Sequence, residues 1–196
     1  YILATLLVLF FDAPKDDIIG TSPIKTLAAQ ELLALMIVLI ADIRIKGLHG
    51  IFGVDVIPYW SSIFLSLFSI IVIINAFNLI DGVDGLAAGI GFIAAVVFGI
   101  SFFIGNDIVM SLLAFSLAGS LFAFLFFNFS PARIFMGDAG STIIGLMMAV
   151  FAIKIIESPK AEIGEMIVVI THQPTFVMST LCYPLIDTLR IFVYRT

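Results

Sequence analysis

Long uncharged apolar runs alternate along this chain with short polar segments. Residues 85–106 and 108–132 contain no Asp, Glu, Lys or Arg. An α-helix needs about 20 predominantly apolar residues to cross a bilayer. On this basis the predicted spans, the first of them only the end of one, are 1–11, 25–41, 60–77, 86–104, 108–127, 142–156 and 166–186. The pattern predicts an all-α integral membrane protein, a polytopic transmembrane helix bundle.

Two segments depart from the simple spanning pattern. Residues 43–59 are rich in glycine and alternate in polarity near Phe52–Ile57, which predicts a small β-hairpin on the membrane surface. The last apolar segment contains Pro174 and Pro184, so we expect it to be kinked or broken.

The number of spans between polar loops fixes which loops share a side. Two spans separate loop 12–24 from loop 78–85, and two more separate that loop from 128–141. These three loops therefore lie on one face of the membrane, and the predicted hairpin lies on the other. Basic residues number five on the acidic face and four on the opposite face, so charge counting alone does not orient the chain.

Composition agrees with a membrane protein and excludes several other classes. Hydrophobic residues make up 62% of the 196 positions, and only 12% are charged, about half the share in soluble domains. The charges that give the net −5 are concentrated in loops and give no reason to expect a nucleic-acid partner. The single cysteine, Cys182, excludes an internal disulfide and a cysteine-rich zinc site.

The loop after the third predicted span is the first chemical candidate. It carries Asn78, Asp81 and Asp84 in the string Asn-Leu-Ile-Asp-Gly-Val-Asp-Gly-Leu. Carboxylates beside hydrocarbon are costly and usually functional. The alternative is a polar turn that caps the next helix, but capping needs one such residue rather than several.

A second candidate precedes the span at 142–156. The string Phe-Met-Gly-Asp-Ala-Gly-Ser covers 135–141, and Asp138 is a hard oxygen ligand suited to Mg²⁺. Amide groups at the start of the next helix also favour an anionic phosphate. The alternative here is an ordinary loop built on proline and glycine.

Asp16 and Asp17 form a weaker third candidate, because adjacent acids in a loop are usually just solvated. A functional role for them becomes more plausible because they lie on the same face of the membrane as the other acidic loops. Carboxylates gathered on one side repel each other unless they share protons or bind a cation. We therefore expect a divalent-metal site that faces the aqueous phase. Lys25 is a candidate phosphate contact or simply an interface residue.

Together these strings resemble the polyprenyl-phosphate N-acetylhexosamine-1-phosphate transferase superfamily of integral membrane enzymes. That family carries an Asp pair, an N-x-x-N-x-x-D-G-x-D-G-L element and an F-M-G-D-x-G-S element in this order. The resemblance extends over nearly all of the chain, and the two long motifs are diagnostic only in combination. It implies one transmembrane catalytic domain over 1–196, which we expect to be truncated at both ends.

The resemblance implies an activity, partners and a location. The reaction is Mg²⁺-dependent transfer of N-acetylhexosamine 1-phosphate from a UDP-sugar to undecaprenyl or another polyprenyl phosphate, with release of UMP. Mn²⁺ is an alternative cofactor, and a homodimer is compatible with the family. The location implied is the bacterial cytoplasmic (inner) membrane, with the active site facing the cytoplasm.

It also implies residue roles. Asp138 binds the metal with Asn78, and the catalytic carboxylates are Asp16, Asp17 and Asp81. The substrate-binding residues implied are Lys25, Asp84, Asn128, Arg133 and Phe135.

The activity has alternatives, and the sequence departs from the family pattern at two places. The residues of the motifs favour N-acetylglucosamine-1-phosphate transfer over phospho-N-acetylmuramoyl-pentapeptide transfer. A cation-coupled transporter and a scaffold without activity are the rival classes. The glycine that the family places shortly before the Asp pair is absent, and so is a His-rich loop that follows the equivalent of Arg195.

Overall fold

A computed structural model of the chain describes residues 30–48, 50, 53–158 and 173–195. The described residues form seven helices: α1 Gln30–Ile40, α2 Tyr59–Ile80, α3 Leu86–Ile104, α4 Ile108–Asn128, α5 Gly137–Ile156, α6 Gln173–Thr180 and α7 Cys182–Arg195. Four of them, α2 to α5, are long and apolar enough to cross a membrane. They coincide with the predicted spans 60–77, 86–104, 108–127 and 142–156, so the helical membrane architecture is confirmed. The predicted span 1–11 lies outside the described residues.

Helix α5 forms the centre of the bundle. Its apolar stretch is 72% buried, whereas that of α4 is only 28% buried and exposes most of its surface. Helix α5 packs on α2 at Gly145, where an added Cβ would lie 2.6 Å from the Cα of Ile74. Small residues allow this close approach of two membrane helices. The contact joins the two helices whose ends carry Asp81 and Asp138.

The predicted β-hairpin is wrong, because the described part of residues 43–59 contains only an isolated antiparallel bridge between Gly47 and Val56. The chain reverses there, and backbone bonds join its two arms, from the amide of Leu48 to the carbonyl of Asp55 and from the amide of Ile57 to the carbonyl of Lys46. No strand forms among the described residues, however, and the first arm also bonds to α2. The amide of Ile45 donates to the hydroxyl of Ser66 at 2.8 Å, and the hydroxyl of Ser62 donates to the carbonyl of Ile45. These side-chain bonds satisfy backbone groups that a β-ladder would otherwise pair.

The last apolar segment is divided into α6 and α7 at Leu181. Pro184 lies in the first turn of α7, where its missing N–H and its ring are tolerated. Because Pro184 has no N–H, it cannot donate to the carbonyl of Thr180, and this hydrogen bond between α6 and α7 is missing.

Contacts at the two ends of the bundle agree with the predicted sidedness. At one end, the loop after α2 bonds to the loop after α4, as described below. At the other end, the amide of Lys46 donates to the carboxylate of Glu157 at 2.7 Å. Asp107 lines the same polar pocket as these two residues. Loop 12–24 lies outside the described residues.

Candidate functional site

The loop that follows α2 and the loop that precedes α5 are joined directly to each other. The loop at 81–85 connects α2 to α3, and the loop at 129–136 connects α4 to α5. A carboxylate oxygen of Asp84 accepts a hydrogen bond from the amide of Ala132 at 3.1 Å. This bond spans 48 residues of sequence, so it fixes the relative position of the loops rather than a local turn.

Asn128, the last residue of α4, makes the most enclosed link. Its Oδ1 accepts from the amide of Gly85 at 3.0 Å, and its Nδ2 donates to the carbonyl of Ile134 at 3.0 Å. The residue is only 4% exposed. Asn128 therefore binds the start of α3 with one half of its amide and the second loop with the other half.

Gly85 lies close to the end of α4 and to the start of the second loop. Its φ of +73° is a left-handed conformation that glycine adopts without steric cost. An added Cβ would lie 3.6 Å from the carbonyl oxygen of Asn128 and 3.5 Å from the ring of Phe129. The string Asp-Gly-Leu thus supplies both a turn and the room for the second loop to approach.

Asp81 and Asp138 interact across the gap between α2 and α5. Asp81 follows the last residue of α2 and is half-buried, and Asp138 lies in the first turn of α5. Burial, and secondarily the negative charge of Asp138, raises the pKa of Asp81 to about 6. A carboxyl group with a pKa near neutrality can hold or release a proton under physiological conditions, which suits acid–base chemistry.

Asn78 lies in the last turn of α2, three residues before Asp81, and is partly exposed. Asn75 lies one turn earlier and is exposed, with its side-chain amide donating only to the carbonyl of Ile71. Residues three apart on a helix share a face, so the side-chain amides of Asn75 and Asn78 lie on the same side of α2 as the carboxylate of Asp81. Asn75 was not predicted as a site residue, although its spacing from Asn78 was the available signal.

The remaining predicted residues differ in accessibility. Phe135 is 79% exposed, and Arg133 is also exposed on the same loop. Asp84 is exposed, whereas Asn128 is buried. Asp16, Asp17 and Lys25 lie outside the described residues, so their predicted places in the cluster stay predictions.

Asp81 and Asp138 are among the described side chains that could hold a divalent cation at this end of the bundle. No three His, Cys, Asp or Glu residues within the described ranges are grouped to hold a metal ion. One or two carboxylates are nevertheless the usual protein contribution to Mg²⁺, which also binds water and substrate phosphate. The mutual repulsion of Asp81 and Asp138 is the kind that a cation relieves.

Comparison with known proteins gives one family match and many related sequences. A family model described as glycosyl transferase family 4 matches residues 1–156. The chain is 36% identical over 154 residues to decaprenyl-phosphate N-acetylglucosaminephosphotransferase of Mycolicibacterium smegmatis, covering 74% of this chain and 38% of the relative. Its counterpart in Mycobacterium leprae is 38% identical over 146 residues, covering 68% and 36%.

A second type of relative matches a shorter part. Phospho-N-acetylmuramoyl-pentapeptide-transferase of Listeria monocytogenes is 38% identical over 96 residues, covering 49% of this chain and 30% of the relative. The chain thus spans less than two fifths of the length of these curated relatives. The family match, by contrast, includes α2 to α5 and both joined loops. The chain therefore belongs to glycosyl transferase family 4.

Proposed function

We propose that the complete protein transfers N-acetylglucosamine 1-phosphate from a UDP-sugar to a polyprenyl phosphate within the membrane and releases UMP. The observation that carries the proposal is the joining of the loop after α2 to the loop before α5, which places Asp81 and Asp138 at the same end of an apolar bundle. A water-soluble nucleotide reaches that end from the aqueous phase. The lipid stays in the bilayer with its phosphate at the interface, so the two substrates meet beside these carboxylates.

The reaction is a phosphoryl transfer. An oxygen of the lipid phosphate attacks the β-phosphorus of the UDP-sugar, and the bond from that phosphorus to the bridging oxygen breaks. UMP leaves with the bridging oxygen, and the product is a sugar diphosphate lipid. Because the attacking and leaving groups are anionic, catalysis depends mainly on positioning and charge compensation.

Mg²⁺ would be held by Asp138 and Asn78 at the paired ends of α5 and α2. When bound, it neutralises negative charge that develops on the diphosphate. Mn²⁺ offers the same oxygen-ligand chemistry and is the alternative.

The protein's own residues divide the remaining work. Asp81, with its raised pKa, is suited to accept a proton from the lipid phosphate, and Asp16 and Asp17 complete the proposed catalytic carboxylates. Lys25 and Arg133 are proposed to contact the diphosphate as cations. Phe135, exposed beside the site, is proposed to stack on the uracil base.

Asp84 and Asn128 are proposed to shape the nucleotide site through the loop that they hold. Asp84 leaves a second carboxylate oxygen for a direct contact, because the described bond uses Oδ2. The exposure of Asp84 is consistent with that contact.

Two observations favour this function over the alternatives. The N-acetylglucosamine-phosphate relatives match 68–74% of the chain, whereas the pentapeptide transferase of Listeria matches 49%. A cation transporter would carry acids through the depth of the bilayer. In the described part of α2 to α5, the only acid lies in the first turn of α5. The location we propose is the bacterial inner membrane, with the acidic loops facing the cytoplasm, where UDP-sugars are made.

The test is transfer by the complete protein reconstituted with a polyprenyl phosphate. We expect UMP release and a lipid-linked sugar with UDP-N-acetylglucosamine as donor, and loss of both after chelation of divalent cations. UDP-N-acetylmuramoyl-pentapeptide as the better donor would favour the second type of relative.

Variants link the activity to the site. Asp138→Asn is expected to abolish transfer, because it removes a metal-binding charge while keeping the side chain's size. Asp55→Asn is the matched control, since Asp55 is exposed at the other end of the bundle. Normal magnesium-dependent transfer by Asp138→Asn would contradict the metal assignment, and ion flux without UMP release would contradict the enzyme.

A further inference from the structure

We propose that Asn128 is a positioning residue, which sets the separation of the two acidic loops and acts on the reaction through Asp81 and Asp138. The expected effect of Asn128 on kcat and on the magnesium dependence rests on the proposed function. The alignment of two loops by one buried amide is independent of which reaction the site performs.

The hydrogen bonds of Asn128 reach both loops at once. Its Oδ1 accepts from Gly85, four residues after Asp81, and its Nδ2 donates to the carbonyl of Ile134, four residues before Asp138. The neighbouring backbone closes the second loop on the same helix end. The amides of Arg133 and Ile134 both donate to the carbonyl of Phe127, at 2.8 and 3.3 Å.

Burial argues against a direct role for this side chain in binding the nucleotide. Asn128 is 4% exposed, and each half of its amide already bonds to backbone. The amide keeps one N–H and one lone pair beyond these two bonds, but burial leaves them little accessible to a ligand. Phe135 and Asp84, by contrast, are exposed and remain free to contact a substrate.

The bonds of Asn128 complement the contact between the helices. Gly145 and Ile74 hold α5 against α2 inside the bundle, but Asp81 and Asp138 lie beyond that contact, at the helix ends. Asn128 supplies alignment where the helix packing ends. Residues that orient metal-binding groups in this way typically change metal affinity or activity by about 10–100-fold when mutated.

The first test measures the loop separation without any reaction. Spin labels are attached to the complete protein through Val83→Cys and Ile134→Cys in a Cys182→Ser background, since both labelled positions and Cys182 are exposed. In the absence of metal we expect one narrow distance distribution. Asn128→Ala should broaden or shift that distribution.

The second test separates positioning from nucleotide contact. For Asn128→Ala we expect kcat to fall and the half-saturating Mg²⁺ concentration to rise by about 10–100-fold. The KM for UDP-N-acetylglucosamine should rise less than the half-saturating Mg²⁺ concentration, because Asn128 affects the nucleotide only through the loop that carries Phe135. Asn106→Gly is the control, because Asn106 is exposed in the turn after α3, at the opposite end of the bundle, and glycine adopts its φ of +61° without strain.

A second variant covers the case in which Asn128→Ala does not fold. Asn128→Asp keeps the side chain's size and the acceptor for Gly85 but replaces the donor to Ile134 with an oxygen. It should broaden the distance distribution as well.

The results overturn or support the inference separately from the proposed function. An unchanged distance distribution in both variants, or a raised KM for the nucleotide with unchanged magnesium dependence, overturns it. If the wild type shows no transfer, the proposed function fails, and the spin-label distances still decide whether Asn128 aligns the loops.

Discussion

Gly145 of α5 lies directly against the backbone of Ile74 of α2, so that a Cβ added at Gly145 would lie 2.6 Å from the Cα of Ile74. The obstacle is backbone, which cannot rotate away as a side chain end can. Gly145→Ala should therefore separate the two helices and destabilise the protein by about 1–3 kcal/mol. The midpoint of thermal unfolding in detergent measures this effect.

Gly119→Ala is the matched control for the helix contact. Gly119 lies within α4, and an added Cβ there meets nothing within 4 Å. Because alanine is the better helix former, we expect no loss of stability from this change. Equal losses in the two variants would show that the packing of α2 on α5 is not what glycine serves at position 145.

The sequence predicts the spanning helices well, because length and hydropathy depend on the bilayer rather than on neighbouring helices. It does not predict that α5 is central, since every span has similar composition and burial depends on tertiary contacts. The prediction also began α5 at 142, whereas the helix starts at Gly137. Its first turn contains two glycines and Asp138, which are typical of a loop, yet an acid in a first turn is favoured by the helix dipole.

The strings that suggest the candidate site stand out in the sequence, but the hydrogen bonds that join them do not. The strings around Asp81 and Asp138 stand out because polar groups interrupt apolar runs. Asn128 bonds to Gly85, which is 43 residues away in the sequence, and to Ile134, which is 6 residues away. Both bonds depend on how the chain folds. The sequence likewise does not show that Ser62 and Ser66 on α2 bind the backbone of Ile45, at the start of the segment predicted as a hairpin.

Asp81→Asn should stabilise the metal-free protein at neutral pH. The pKa of Asp81 is raised to about 6 in the folded protein, from 3.8, so the folded state binds more protons than the unfolded state between these values. Wild-type stability therefore falls as the pH rises from about 4 to 6. Asp81→Asn lacks this loss, so it should be more stable than the wild type at pH 7 and equally stable near pH 4. Because Asp81 is partly exposed to solvent, the difference in stability should be small.

Thermal unfolding in the presence of a chelator, measured across this pH range, tests the titration of Asp81. Asp55→Asn provides the comparison, because it removes an exposed acid at the other end of the bundle. With Mg²⁺ added, the order should change, since a bound cation stabilises the folded wild type by mass action. A constant difference between Asp81→Asn and wild type at all pH values would contradict the assignment.

Ser66→Ala should weaken the docking of the segment before α2. The hydroxyl of Ser66 accepts from the amide of Ile45, which is buried and would lose its partner. An unsatisfied buried amide costs about 1–3 kcal/mol. Ser69→Ala is the control, because the hydroxyl of Ser69 bonds only to the carbonyl of Leu65 in its own helix. Similar unfolding midpoints for the two variants would argue against a stabilising role for the Ser66–Ile45 bond.

Phe135→Ala should weaken nucleotide binding without changing stability. Phe135 is 79% exposed, so its removal costs little packing, whereas an aromatic ring stacked on a base contributes about 1–3 kcal/mol. Calorimetric titration with UDP-N-acetylglucosamine should show the loss, and Phe135→Trp should retain most of the affinity because it keeps an aromatic face. Phe103→Ala removes a ring that is 68% exposed at the opposite end of the bundle. Unchanged affinity in Phe135→Ala, or the same loss in Phe103→Ala, would exclude stacking by Phe135.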